Sequence, residues 1–157
     1  LLDNLNILTS LVDGKWFTGA MRIDTVAGTI LELGPDVTAR EGDERLDLTG
    51  QTAIPGLVVG HHHLYSALAR GMPAPKQTPS NFPETLEYIW WVLDNALDEE
   101  TVYLSTVAGL AGAARMGITG IIDHHASPSF ISGSLATMAR GFEEFGMRGQ
   151  LCYEVTD

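Results

Sequence analysis

Thr52-Ala53-Ile54-Pro55-Gly56-Leu57-Val58-Val59-Gly60-His61-His62-His63-Leu64-Tyr65 is the stretch on which the reading of the whole chain turns. It reads as a short apolar strand ending in three histidines. Strand side chains alternate between two faces, so His61 and His63 point one way and His62 the other. Two imidazoles on one face, two residues apart, can grip one metal ion. The plainer alternative is three partly exposed loop histidines. An affinity tag does not fit a triplet set mid-chain behind an apolar strand.

Downstream, the pattern is strand, helix, strand, helix, strand. After the histidines a loop carries Pro73, Pro75, Pro79 and Pro83, a density that forbids regular structure and stiffens the chain. The loop is a lid or a plain connection. Leu86, Ile89, Trp90, Leu93 and Leu97 then recur at helical spacing, with Trp90 and Trp91 read as packing residues. Asp98-Glu99-Glu100 opens a second helix, where acidic side chains meet the positive end of the helix dipole. Its stripe is Tyr103, Val107, Leu110 and Ala114. Gly109 and Gly112 weaken it by up to about 1 kcal/mol each relative to Ala, so close packing is expected at both. Gly117 ends it. A strand over Ile118–Asp123 follows and runs into His124-His125. A helix carrying Leu135, Met138, Ala139, Phe142 and Phe145 stops at Gly146, and a last strand covers Gly149 to Val155.

All five histidines of the chain directly follow two predicted strands. Parallel βαβ units bring the ends of their strands to one face, where barrel enzymes build their sites. His61, His63 and the Asp123-His124-His125 run are therefore expected on one rim.

Upstream, residues 1–51 read as short strands and turns. Asp13-Gly14, Ala27-Gly28 and Gly34-Pro35 are the turn signals between them.

Nine Lys and Arg against twenty Asp and Glu leave a net charge of −11. Such a surface repels polyanions, so nucleic acid and anionic membranes are excluded as expected partners. No stretch approaches the roughly 18 apolar residues of a membrane helix. Leu1-Leu2-Asp3-Asn4 does not read as a signal peptide, and a start at Leu1 reads as a trimmed end. Cys152 is the single cysteine. It allows no internal disulfide, which fits a reducing, cytoplasmic setting, and its strand-like surroundings read as core.

Pro-Gly-Leu leading to His-x-His resembles the metal-dependent amidohydrolase superfamily. Gly60-His61-His62-His63, the Leu-x-Arg-Gly run at Leu68 to Gly71, the Ala-Arg-Met-Gly-Ile-Thr segment and Asp123-His124-His125 together resemble its aminohydrolase branch. That branch includes cytosine, guanine and S-adenosylhomocysteine deaminases and triazine chlorohydrolases. The doubled histidines are most similar to those of 8-oxoguanine deaminases and of aminohydrolases associated with selenium metabolism, the latter also through Cys152 to Asp157. The glutamine usual after the histidines of 8-oxoguanine deaminases is missing from Leu64-Tyr65-Ser66.

The resemblance implies an α/β fold. Residues 1–51 would form a small β-sandwich domain, and residues 52–157 the first part, about three βα units, of a TIM-type (β/α)8 barrel. A whole barrel takes about 250 residues. The chain is therefore expected to be the N-terminal portion of a longer enzyme or one half of a split one. Its barrel would be completed in the same or another chain, with a homo-oligomer left open. The implied reaction is hydrolytic deamination of a purine-like or related small heterocycle by water activated on a divalent metal, most naturally Zn2+. His61 and His63 would hold the metal. The family's third metal histidine, its acid/base glutamate and histidine and its metal-binding aspartate come later, beyond Asp157. His124 and His125 face opposite ways, so one contacts substrate; His125 shares a face with Asp123. Arg70 contacts substrate or pairs with an acidic neighbour, and Glu154, at the end of the third strand, is a further contact. Two alternatives stay open. One is a cyclic amidase of the same superfamily using two metals and a modified lysine, although Lys15 and Lys76 end no barrel strand. The other is a non-catalytic fragment or subunit.

Overall fold

The computed structural model describes residues 1–155, so the Thr156-Asp157 end of the run compared above lies outside the described residues. The chain divides into two units, Leu1–Pro55 and Gly56–Asp157.

In the first unit, Asp13-Gly14 turns the chain between β1 (Leu2–Leu8) and β2 (Trp16–Asp24), with Gly14 at φ +63°. β3 (Thr29–Gly34) pairs antiparallel with β2. β4 (Leu46–Asp47) and β5 (Thr52–Ala53) both lie parallel to β1. Leu5, Ile7 and Ala20 are buried. Arg22 is buried with them, bonding Asp43, Glu32 and the Thr38 carbonyl. The guanidinium holds the Asp43 carboxyl far below the usual carboxylate range. The described residues form a single mixed sheet here, and a second, facing sheet of the expected sandwich is not among them. Thr52 and Ala53 also differ from their reading as the start of the barrel strand. They pair with Asn6 and Ile7 of β1, and the break falls after Pro55.

In the second unit, β6 (Leu57–His62), β7 (Ile118–His125) and β8 (Arg148–Tyr153) form a parallel sheet in that order. A short 3-10 turn, Leu64–Ser66, follows β6, and no helix or strand forms through the proline-rich stretch before residue 82. The next helical stretch is not one regular helix. It runs through α1 (Phe82–Thr85), a π-helical turn (Leu86–Trp90) and α2 (Trp91–Ala96). α3 (Glu99–Arg115) starts at a capping box between Asp98 and Thr101, which satisfies two otherwise orphaned donors. Gly117, at φ +76°, ends it. α4 (Ser134–Phe145) links β7 to β8 and stops at Gly146.

The helices cover one face of the sheet. Their core joins Leu64, Val102, Leu110, Ile121, Met138 and Phe142. The buried line of α3 is Val102, Ser105, Thr106, Leu110 and Ala113, offset from the expected stripe. Tyr103 is drawn outward because its hydroxyl donates to Glu144 and its ring lies under the Arg140 guanidinium. Thr106 is accommodated inside by donating to the Val102 carbonyl at 2.8 Å. A Cβ on Gly109 would come within 2.5 Å of Leu64 Cδ2, so close packing explains this glycine. Gly112 faces open space, and packing does not explain it.

The other face of the sheet is open among the described residues. Val58 is 68% exposed, and Ile122 and Cys152 are exposed beside it. Among the described residues Cys152 is therefore exposed and outside the core. In β8 it follows Leu151, which packs on the helices, and so points the other way.

Candidate metal and substrate site

The site begins with a bulge. Val59 pairs with Ile121 and His62 with Asp123, so β6 spends three residues where β7 spends two. Val59 and Ile121 both pack on the helix-side core. Plain alternation would send His61 and His63 there too. The extra residue reverses the phase, as bulges do. His62 then lies beside Asp123 on the helix side, and His61 and His63 face the open side with His124.

The His61 and His63 Nε2 atoms approach to 3.0 Å, with their rings edge to face at 4.7 Å. His63 Nδ1 lies 2.8 Å from the His124 carbonyl. A carbonyl only accepts, so Nδ1 carries the proton and the His63 Nε2 lone pair faces His61. This is the arrangement by which a backbone carbonyl fixes the tautomer of a metal-ligating histidine. Two nitrogens about 2 Å from a tetrahedral zinc stand about 3.3 Å apart, so the pair fits two positions of such a shell. The same geometry also suits a hydrogen bond from His61 Nε2–H to the His63 lone pair. Among the described residues, no group of three or more His, Cys, Asp or Glu side chains gathers to hold a metal.

Asp123 anchors the strand end. It is fully buried, and its Oδ1 accepts the Leu64 backbone N–H at 2.7 Å. His62 Nδ1 stands 3.8 Å from that oxygen, and neither His62 Nδ1 nor Asp123 Oδ2 has a hydrogen-bond partner among the described residues. Burial raises the Asp123 carboxyl above the usual carboxylate range.

The two histidines after β7 part company. The His124 ring stands 5.5 Å from that of His63 and 5.9 Å from that of His61, and its Nδ1 lies 3.6 Å from Glu154. His125 turns into the core and is fully buried. Ser127 donates its hydroxyl proton to the Phe130 carbonyl, so its oxygen accepts from His125 Nε2–H at 2.9 Å. His125 Nδ1 is left as a buried lone pair without a partner among the described residues. Burial lowers this imidazole to about 4.

His61, His63, His124 and Glu154 line a cleft of about 620 Å³ whose walls include Tyr65 and Trp90. Among the candidate residues, the fold thus gathers these four. It leaves His125 in the core and Arg70 exposed outside the cleft. Neither Lys15 nor Lys76 lines it.

Sequence reasoning missed Asp94 and Tyr65. Asp94, on α2, is 6% exposed and lines the cleft. Burial, aided by the Glu154 carboxylate, raises it to about 6. Burial also raises the Tyr65 hydroxyl. A signal for Asp94 was available, since it stands four residues after Trp90 and three before Leu97, inside the apolar face of its helix.

No family model matches the chain. It is 29% identical over 130 residues to the 5-methylthioadenosine/S-adenosylhomocysteine deaminase of Pyrococcus furiosus, covering 83% of this chain and 28% of that one. It is 31% identical over 140 residues to the 8-oxoguanine deaminase of Pseudomonas aeruginosa, covering 82% and 30%. The fold matches an atrazine chlorohydrolase of Arthrobacter aurescens, solved with zinc and atraton. The TM-score is 0.75 at 21% identity, covering 96% of this chain and 34% of that one. The chain belongs to the amidohydrolase superfamily. It spans about 30% of the length of the relatives it matches. As an amidohydrolase segment, it aligns with proteins named as deaminases and resembles in fold a zinc-bound chlorohydrolase. No helix among its described residues is long and apolar enough to cross a membrane.

Proposed function

We propose that this chain supplies the first metal ligands and part of the substrate cleft of a metal-dependent aminohydrolase, one that hydrolytically removes an amine from a purine-like or related heterocycle. The supporting observation is the pair of Nε2 atoms 3.0 Å apart, with the His63 tautomer set by the His124 carbonyl. Sheet and helices form the first part of a (β/α) barrel, preceded by the small β domain. The remaining ligands and the acid/base groups come from the rest of the barrel, in the same or another chain.

His61 and His63 hold the metal. A divalent ion on imidazole nitrogens, zinc by preference, supplies Lewis acidity and makes water a nucleophile at neutral pH. The chain's own residues do the rest of the local work. The His124 carbonyl keeps the His63 proton on Nδ1. Asp123 pins the turn after the histidines through the Leu64 N–H. Tyr65 and Trp90 give a flat ring an aromatic wall, and His124 and Glu154 reach it from the rim.

Metal content and ammonia release, measured on the protein at its natural length with aminopurines and aminotriazines, test this reading. The expected result is bound zinc and ammonia released from at least one ring class. A zinc-loaded protein that releases no ammonia from either class overturns the deaminase assignment, and a protein that takes up no divalent metal overturns the metal assignment.

A further inference from the structure

One acid of the cleft, Asp94, keeps an oxygen that no group among the described residues claims, although the Tyr65 hydroxyl stands beside the same carboxylate. Glu154 stands near His124 and Asp123 is tied to Leu64, but Asp94 Oδ1 is buried without a partner among the described residues. Asp94 reaches the cleft from α2, with Trp90 one turn before it. It also borders a second cavity of about 350 Å³ that shares Trp91 and Glu154 with the first and continues toward Pro128, Ile131 and Tyr153. A buried carboxylate oxygen accepts hydrogen bonds and, without a donor, loses the water it had in the unfolded chain with nothing in return. The aromatic wall beside it fits a flat ring. What the site lacks is a donor on that ring.

We propose that Asp94 is a specificity-determining residue, accepting a hydrogen bond from an N–H or amino donor on the edge of a planar heteroaromatic ligand. This rests on the aminohydrolase reading and deepens it, because it names which rings the cleft prefers. Sites built to pair a buried polar group reject analogues lacking the matching group far more strongly than apolar pockets reject a missing methylene. Rings with amino or ring N–H groups directed at α2 should bind, and rings with methyl groups in those positions should be excluded.

A symmetric pair of probes removes the question of ring orientation. Melamine carries three amino groups, and 2,4,6-trimethyl-1,3,5-triazine has nearly the same shape with three methyl groups. Calorimetric titration of both into the zinc-loaded, natural-length protein should show melamine binding about 30-fold or more tighter. Asp94→Leu should bring the ratio to about threefold or less. Asp94→Asn keeps one acceptor oxygen without the charge and the original shape, and should give an intermediate ratio. This second variant covers the case in which the leucine variant fails to fold. Equal binding of the two probes by the wild-type protein, binding of neither, or a ratio unchanged in both variants overturns the proposal. Zinc content and ammonia release on the same samples report on the aminohydrolase reading separately. Metal uptake and turnover with an unchanged probe ratio would sink the Asp94 role alone.

Discussion

His125 makes the second unit acid-sensitive in a way that one substitution should expose. The chain from the Phe130 carbonyl through the Ser127 hydroxyl to His125 Nε2–H leaves Nδ1 as a bare, buried lone pair. Protonating Nδ1 creates a charged, buried N–H with no acceptor among the described residues. The imidazole therefore falls from 6.5 to about 4 on folding. A folded-state value below the unfolded one means that the unfolded chain binds the proton first. Stability is fully present above pH 6.5 and is lost as pH falls toward 4. The fall from 6.5 to about 4 amounts to about 3 kcal/mol over that window. Asp94 works in the opposite sense. Its carboxyl is raised to about 6, so its contribution is present below the unfolded value near 3.8 and is lost as pH rises through 6. The wild-type curve alone would blend the two.

His125→Gln isolates the histidine, since it keeps a donor toward Ser127 and cannot titrate. Urea unfolding would be followed by tryptophan fluorescence from pH 4 to 8, with Trp90 and Trp91 reporting on this unit. The stability difference between wild type and variant should shrink by about 3 kcal/mol between pH 6.5 and 4. Metal release from the other histidines cancels in the comparison. Parallel curves would refute the reasoning, as would an imidazole that nuclear magnetic resonance finds titrating near 6.5.

Two further predictions concern the same unit. His61→Ala and His63→Ala should each abolish stoichiometric metal binding by elemental analysis, while His62→Ala retains it; full occupancy in either of the first two removes the ligand assignment. Gly112→Ala should stabilise the protein by up to about 1 kcal/mol, because the position is open and helical. Gly109→Ala should instead cost about 1 kcal/mol or more, because its Cβ meets the fully buried Leu64. Equal melting shifts for the two alanine variants would contradict that packing.

Elements set by local chemistry were legible in the sequence. Asp98 and Gly117 marked the ends of α3, and Gly146 ended α4, because caps and left-handed glycines act within a few residues. What depends on partners far along the chain was not legible. The stripe of α3 was displaced because Tyr103 found Glu144 and Arg140, 41 and 37 positions away. Thr52 and Ala53 join the sheet of the first unit and not the barrel strand because their partners are Asn6 and Ile7. Cys152 lies on the side of β8 left open among the described residues, which follows from register and not from composition. The π-helical turn at Leu86–Trp90 left no mark that a helical period would register. At the site, the histidine cluster was visible. That His124 turns outward and His125 inward is a matter of which side the helices cover.

The bulge in β6 ties these observations together and can be tested directly. A shift of one residue moves every side chain of a strand to the other face. Val59 packs inward, so without the extra residue His61 and His63 would also point at the helices, into a core holding Leu64, Ile121 and Met138. Deleting Gly60, which lies between the paired Val59 and His62, removes the phase reversal. Either the histidines leave the cleft, or β6 keeps them outward and slides Val58 and Val59 out of register with Gly120 and Ile121. Both routes should cost metal binding, the first by removing the ligands and the second by parting His63 Nδ1 from the His124 carbonyl. Gly60→Ala is the matched control, since a Cβ there meets nothing within 4 Å, and it should bind metal as the wild type does. A deletion variant that holds zinc with undiminished affinity would mean that the bulge does not aim the pair.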